Sequence, residues 1–130
     1  MINRLVIGML GEKETMVTVE NTAAAFGCGS LEVFSTPAMI ALMEGAAVAC
    51  LDEALEPGQT TVGTLVEIRH QAATPVGMKI KAQAQLTEVK GRKLVFEITA
   101  SDDKEVIGEG RHERYIVDAQ RFLAKAQLKK

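Results

Sequence analysis

A chain of 130 residues with 47% apolar and 25% charged side chains suits one globular domain spanning residues 1–130. Its formal net charge of −2 argues against nucleic acid as a partner, since a phosphate backbone calls for a basic face. No apolar run is long enough to span a bilayer, so a membrane is not expected as a partner either.

The N-terminal "MINRLVIGMLGEKE" carries one Arg before a short apolar patch and lacks a convincing cleavage site, so it does not read as a signal peptide. With only Cys28 and Cys50, a reducing cytoplasm is the expected location. Aromatic residues make up 4% and Trp is absent, so the core must come from Val, Ile, Leu, Met and Ala. A small domain built this way gains by burying surface against a second copy, which makes a homodimer the expected state.

In chain order, "EKETMVTVEN" alternates and predicts a strand. "TAAAFGCGSLEVF" has small residues and two close glycines and predicts a loop, with room for a helical turn. Thr36 is a good helix cap and Pro37 fits the first helical position, where its missing N–H costs nothing. The helix that follows is apolar around most of its circumference, the mark of a buried helix. Asp52, Glu53 and Glu56 form its wet end, and "EPGQ" stops it.

Beyond Pro57-Gly58 the period changes to two. "TVGTLVEIRHQAA" places Val62, Thr64, Val66, Ile68, His70 and Ala72 on one face, with Gly63, Leu65, Glu67 and Arg69 on the other. After a turn at "TPVG", "MKIKAQAQL" sends Met78, Ile80, Ala82, Ala84 and Leu86 inward. "VKGR" reads as a hairpin turn, and "KLVFEITAS" carries Leu94, Phe96, Ile98 and Ala100 on one face. "DDKE" turns the chain into "VIGEGRHERYIV", where Gly108, Gly110, His112, Arg114 and Ile116 share a face. Asp118 can cap a short terminal helix with a basic end. The expected class is α+β: an antiparallel sheet of about five strands, four of them consecutive, wrapped around a long central helix.

One residue breaks the central helix. Glu44 has Ile40, Ala41, Ala47 and Val48 at helical spacing, and a lone buried carboxylate would cost several kcal/mol unless paired. His70 likewise interrupts an apolar strand face that must pack on the helix. The two are therefore expected to confront each other, with the Thr36 hydroxyl at the mouth of the helix. Hydroxyl, imidazole and carboxylate are the parts of a nucleophile- or water-activating site. Singly, Thr36 would be a plain cap, His70 a satisfied core residue, and "RHER" a solvated charged strand; the coincidence of three is what points to chemistry. Two Cys and two His without ligand spacing predict no metal site.

"EVFSTPAMIALMEGA", "GTLVEIRHQAATPVGMKI" and "IGEGRHERYIV…RFLAKAQLKK" resemble the fluoroacetyl-CoA thioesterase-like family of hotdog-fold acyl-CoA thioesterases, from about Glu32 onward. The resemblance implies a dimeric acyl-CoA thioester hydrolase with Thr36, Glu44 and His70 as its catalytic set. It also places Gly63 and Arg114 against the substrate thioester, and Phe34 is counted with them as substrate-binding. No separate cofactor is implied, since CoA is part of the substrate. The loop before the helix departs from the pattern: bulky aromatics are replaced by Gly27, Gly29 and Ser30, leaving only Phe26 and Phe34. That departure implies a different short or medium acyl group. A non-catalytic acyl-CoA binding module and a dehydratase on the same fold are the alternatives, with a cystatin-like inhibitor more distant. Whether Thr36 is nucleophile or water positioner stays open at this level.

Overall fold

In a computed structural model that describes residues 4–130, the chain runs β1 (Leu10–Met16), a 3-10 turn (Val19–Asn21), α1 (Ala23–Phe26), α2 (Thr36–Cys50), β2 (Gln59–His70), β3 (Lys79–Lys90), β4 (Lys93–Ser101), β5 (Val106–Asp118) and α3 (Ala119–Gln127). Residues 1–3 of the N-terminal stretch lie outside the described residues. No helix among the described residues is long and apolar enough to cross a membrane.

All five strands join one antiparallel sheet in the order β1-β3-β4-β5-β2. The four consecutive strands expected from the sequence are thus three, because β2 pairs with β5 and not with β3. Residues 71–78 are long enough to carry the chain across, and they are tied down on the way. The Gln71 amide donates to the Ile107 carbonyl at 2.6 Å, and the Phe34 amide to the Thr74 carbonyl at 2.8 Å. The sheet curls around α2, with β1 and β2 as its two edges.

The inward alternation holds on the central strands: Ile80, Ala82, Ala84, Leu86, Leu94, Phe96, Ile98 and Ala100 are all buried. They meet Met39, Leu42, Met43, Ala46, Ala47 and Cys50 of α2. Because the helix side of this contact is mostly small residues, sheet and helix approach closely. Gly11 shows how closely, since a Cβ there would run into the backbone of Ala46 and Cys50. Backbone cannot rotate aside as a side chain can. Gly11→Ala is therefore expected to destabilise the fold by about 3 kcal/mol, read as a lowered urea midpoint at unchanged slope.

Three local expectations change. β1 ends at Met16, and Val19–Asn21 forms a 3-10 turn because the Asn21 side chain accepts from the Thr18 amide at 2.9 Å. The cap of α2 is Ser35, whose hydroxyl accepts from the Ala38 amide at 3.2 Å; Thr36 is the first helical residue. Third, α2 is not buried all round. Thr36, Ile40, Glu44 and Val48, four residues apart, form a stripe that the sheet leaves partly open, with Val48 50% exposed. Asp118 does cap α3, accepting from the Arg121 amide at 3.0 Å.

Candidate active site

Relieved of capping by Ser35, the Thr36 hydroxyl is free to point elsewhere. It lies 2.7 Å from Nδ1 of His70, the last residue of β2. Burial pushes the His70 pKa below that of an ordinary histidine, against a weaker opposing pull from the backbone at Ala72. The ring is therefore neutral at pH 7 and available as a base. Its Nε2 is buried and has no hydrogen-bond partner among the described residues. To accept the Thr36 proton at Nδ1, the ring must carry its own proton on Nε2. Thr36, His70, Phe34, Cys28, Ala23 and Ala72 line a cleft of 310 Å³. Phe34 is almost wholly buried yet borders this cleft, so it shapes the space next to the Thr36–His70 pair.

Glu44 does not meet His70. Its Oε2 accepts from Arg114 Nη1 at 3.0 Å and lies 3.6 Å from His112 Nε2. Arg114 is anchored further by Nε donating to the Thr61 hydroxyl at 2.9 Å and Nη2 to the Thr61 carbonyl at 3.1 Å. His112 Nδ1 lies 2.7 Å from the Leu65 carbonyl. Burial lowers the His112 pKa, and the Arg114 charge adds to that; the Leu65 bond and the Glu44 and Glu113 charges oppose it.

Eight residues of helix separate Glu44 from Thr36, so Glu44 lies beside the other half of β2, beyond a β-bulge between Gly63 and Leu65. One extra residue reverses the parity of the strand. Opposite β5, Gly63 faces Arg114, Val66 faces His112, and His70 faces Gly108. The N-terminal half of β2 therefore turns Thr61 and Gly63 inward, where simple alternation had put Val62 and Thr64. Gly63 lies directly beneath the cluster: a Cβ there would collide with Glu44 Oε2 and crowd Arg114 and His112 at 3.3 Å. What the resemblance presented as a substrate contact is also the space that lets the carboxylate reach the guanidinium.

The stripe Thr36–Ile40–Glu44–Val48 thus carries two linked groups along one edge of the helix, a hydroxyl–imidazole pair at its N-terminal end and a carboxylate–guanidinium–imidazole cluster at its middle. Sequence reasoning missed Thr61 and left His112 as a solvated residue. Its buried parity with Gly110, Arg114 and Ile116 was the available signal.

Residues 17–120 match the family described as fluoroacetyl-CoA-specific thioesterase. The fluoroacetyl-CoA thioesterase of Streptantibioticus cattleyicolor is 41% identical over 98 residues, covering 75% of this chain and 70% of that protein. A fluoroacetyl-CoA thioesterase in which a threonine is replaced by serine, solved in complex with acetyl-CoA, superposes with a TM-score of 0.91 at 32% identity, covering 97% of this chain and 99% of that one. A thioesterase superfamily member from Thermus thermophilus superposes with a TM-score of 0.86 at 29% identity, covering 95% of this chain and 93% of that one. With a matching family profile over most of its length and close relatives in both sequence and structure, the chain belongs to the fluoroacetyl-CoA-specific thioesterase family and is a hotdog-fold thioester hydrolase.

Proposed function

We propose that the protein hydrolyses a short or medium acyl-CoA to free acid and CoA, with Thr36 and His70 at the reacting thioester. The observation that carries this reading is the 2.7 Å contact between the Thr36 hydroxyl and a neutral, partly buried imidazole at the border of the cleft. That is the geometry of an activated nucleophile. Thr36 Oγ1 attacks the thioester carbonyl as its proton passes to His70 Nδ1. The C–S bond then breaks, and the departing CoA thiolate takes that proton. Water, deprotonated by His70, cleaves the acyl–Thr36 ester, and the proton returns to the threonine oxygen. Glu44, about two turns along α2 from Thr36, and Arg114, which reaches it from β5, form a charged wall farther along the same open stripe. Direct water attack, with Thr36 only orienting the water, gives the same products. It differs in leaving no acyl-threonine for mass spectrometry of the quenched enzyme to detect.

Two further parts of the reading concern the assembly and its setting. β2 is an edge strand, and next to the open stripe of α2 its inward-facing Val66 is 41% exposed. A free strand edge beside exposed apolar residues is an aggregation liability unless a partner covers it, and a self-complementary face suits a second copy. A homodimer is the occupant assigned to this surface. Val66→Asp is expected to shift the protein towards monomer in light scattering, and unchanged dimer would reject this face. Cys28 and Cys50 are both unpaired, which suits a reducing compartment and supports a cytoplasmic location.

The acyl group is set by the loop before α2. Gly27, Gly29 and Ser30 leave room there, so selectivity for the fluorinated two-carbon acyl group is not expected. Free-thiol release from a panel of acyl-CoAs, from acetyl through medium chains with halogenated and aryl members, tests the whole reading. Turnover concentrated in one short or medium class is the expected result. No release from any member by folded protein at high concentration would overturn it.

A further inference from the structure

We propose that His112 is a positioning residue for this reaction, accepting through Nε2 from Arg114 and so fixing the guanidinium that holds Glu44. The proposal rests on the thioesterase reading but is argued from separate atoms. A backbone carbonyl only accepts, so the 2.7 Å contact with Leu65 requires the proton of His112 to sit on Nδ1. A neutral ring has one N–H, which leaves Nε2 with a lone pair. That lone pair lies 3.1 Å from Arg114 Nη1, which can only donate. The hydrogen bonds therefore run one way, from Arg114 to His112 to Leu65, and each atom has a single allowed role.

The effect on Arg114 is specific. Two N–H groups of the guanidinium go to Thr61, one to Glu44 and one to His112, so four of its five donors are engaged. Thr61 fixes the Nε–Nη2 side. On the Nη1 side Glu44 is the other partner, and its side chain is 38% exposed, whereas His112 is 1% exposed and packed against the Phe96 ring at 6.1 Å. His112 is thus the rigid member of the pair, and Arg114 transmits its position to the carboxylate. The groups facing the ring are Glu44 from α2, Arg114 from β5 and the Leu65 carbonyl from β2, while Glu113 acts on it from the neighbouring position of β5. Protonation would turn an Nε2–H against the guanidinium; Glu44 Oε2, 3.6 Å away, favours that cation, but burial together with the Arg114 charge outweighs it and keeps the ring neutral.

Two substitutions separate this role from plain support of the fold. The amide of Gln reaches the position of Nε2 and can offer Arg114 an acceptor, while giving up the Leu65 carbonyl. The shorter amide of Asn reaches the position of Nδ1, keeps Leu65, and gives Arg114 nothing. His112→Asn is expected to lose about 10- to 100-fold in kcat with KM little changed, as for loss of a hydrogen bond to a charged group, and His112→Gln to stay near wild type. The reverse ranking would mean that His112 only supports the bulge at Leu65, and equal activity of both variants with wild type would mean that it does nothing for the site. Either result overturns the proposal.

Nitrogen-15 NMR of the wild-type rings gives a readout independent of activity. The chain has two histidines, so a His70 variant assigns the spectrum. His112 is expected as the Nδ1–H tautomer, with Arg114 Nη signals that are sharp in wild type and broadened in His112→Asn. An Nε2–H tautomer overturns the proposal even if the variants fail to fold. Should wild type release no thiol from any acyl-CoA, the thioesterase reading falls, and the tautomer and Arg114 signals still decide the pairing.

Discussion

Replacing His70 with Ala is expected to lower kcat by about 10²- to 10⁴-fold, the range that general acid–base catalysis supplies. The imidazole is assigned two proton transfers in each turnover, from Thr36 to the thiolate and then from water, so its removal affects both halves of the reaction. The fold should survive the change. His70 ends an edge strand, is only partly buried, and makes its side-chain hydrogen bond to Thr36 alone among the described residues. Far-UV circular dichroism and the thermal midpoint check that point, and thiol release measures the loss. A well-folded His70→Ala protein that kept its full rate on the best substrate would remove His70 from the mechanism.

The same ring sets the acid limb of the pH profile. Its pKa lies below the ordinary histidine value because burial disfavours the cation. The base form therefore persists to lower pH than a free imidazole would allow. The rate should hold as pH falls through about 6.5 and drop only below it. A limb centred above that value would mean that the group titrating in the free enzyme is stabilised as a cation, contrary to the surroundings of His70.

Much of this was legible from residue patterns, and what was not has a definable cause. The inward sets of β3 and β4 followed directly from alternation, because those strands are central and regular on the inner face. Pro37 and the small-residue run marked α2 correctly. Glu44 misses His70 because it lies eight residues along α2 from Thr36, which takes His70, and its own partners were hidden by the bulge between Gly63 and Leu65. Strict alternation carried past this point puts Val62 and Thr64 inward and Gly63 outward, the reverse of the observed faces. The carboxylate's actual partners, Arg114 and His112, share a face of β5 that read equally as a solvated charged strand and as one where Arg114 meets an anion, and the anion is Glu44. β2 was also assumed to neighbour β3, since consecutive strands usually pair. Pairing with β5 instead is what brings Thr61, Gly63, His112 and Arg114 together. The resemblance named Gly63 and Arg114 without giving the physical reason, which is that one makes room for the contact of the other.

That reason leads to the sharpest structural test. Gly63→Ala should leave the fold nearly as stable as wild type but lower kcat/KM by about 100-fold, the penalty expected when a catalytic group is misplaced by about 1 Å. The new methyl group would meet the end of the Glu44 side chain first, with Arg114 Nη1 and His112 Cε1 just behind it at 3.3 Å. Unlike the backbone atoms that confront Gly11, the atom in direct collision is the end of a partly exposed side chain, so it can move aside and stability is spared. The movement is what costs activity, because Glu44 Oε2 can no longer keep its 3.0 Å bond to Arg114. Coupling gives the decisive check. In a Glu44→Ala background the collision partner is gone, so Gly63→Ala should cost little more than Glu44→Ala alone. Fully additive losses would show that the glycine acts on the substrate directly and that the space it leaves for Glu44 is incidental. Strong non-additivity would establish that a missing Cβ on an edge strand sets the position of the carboxylate that the helix presents.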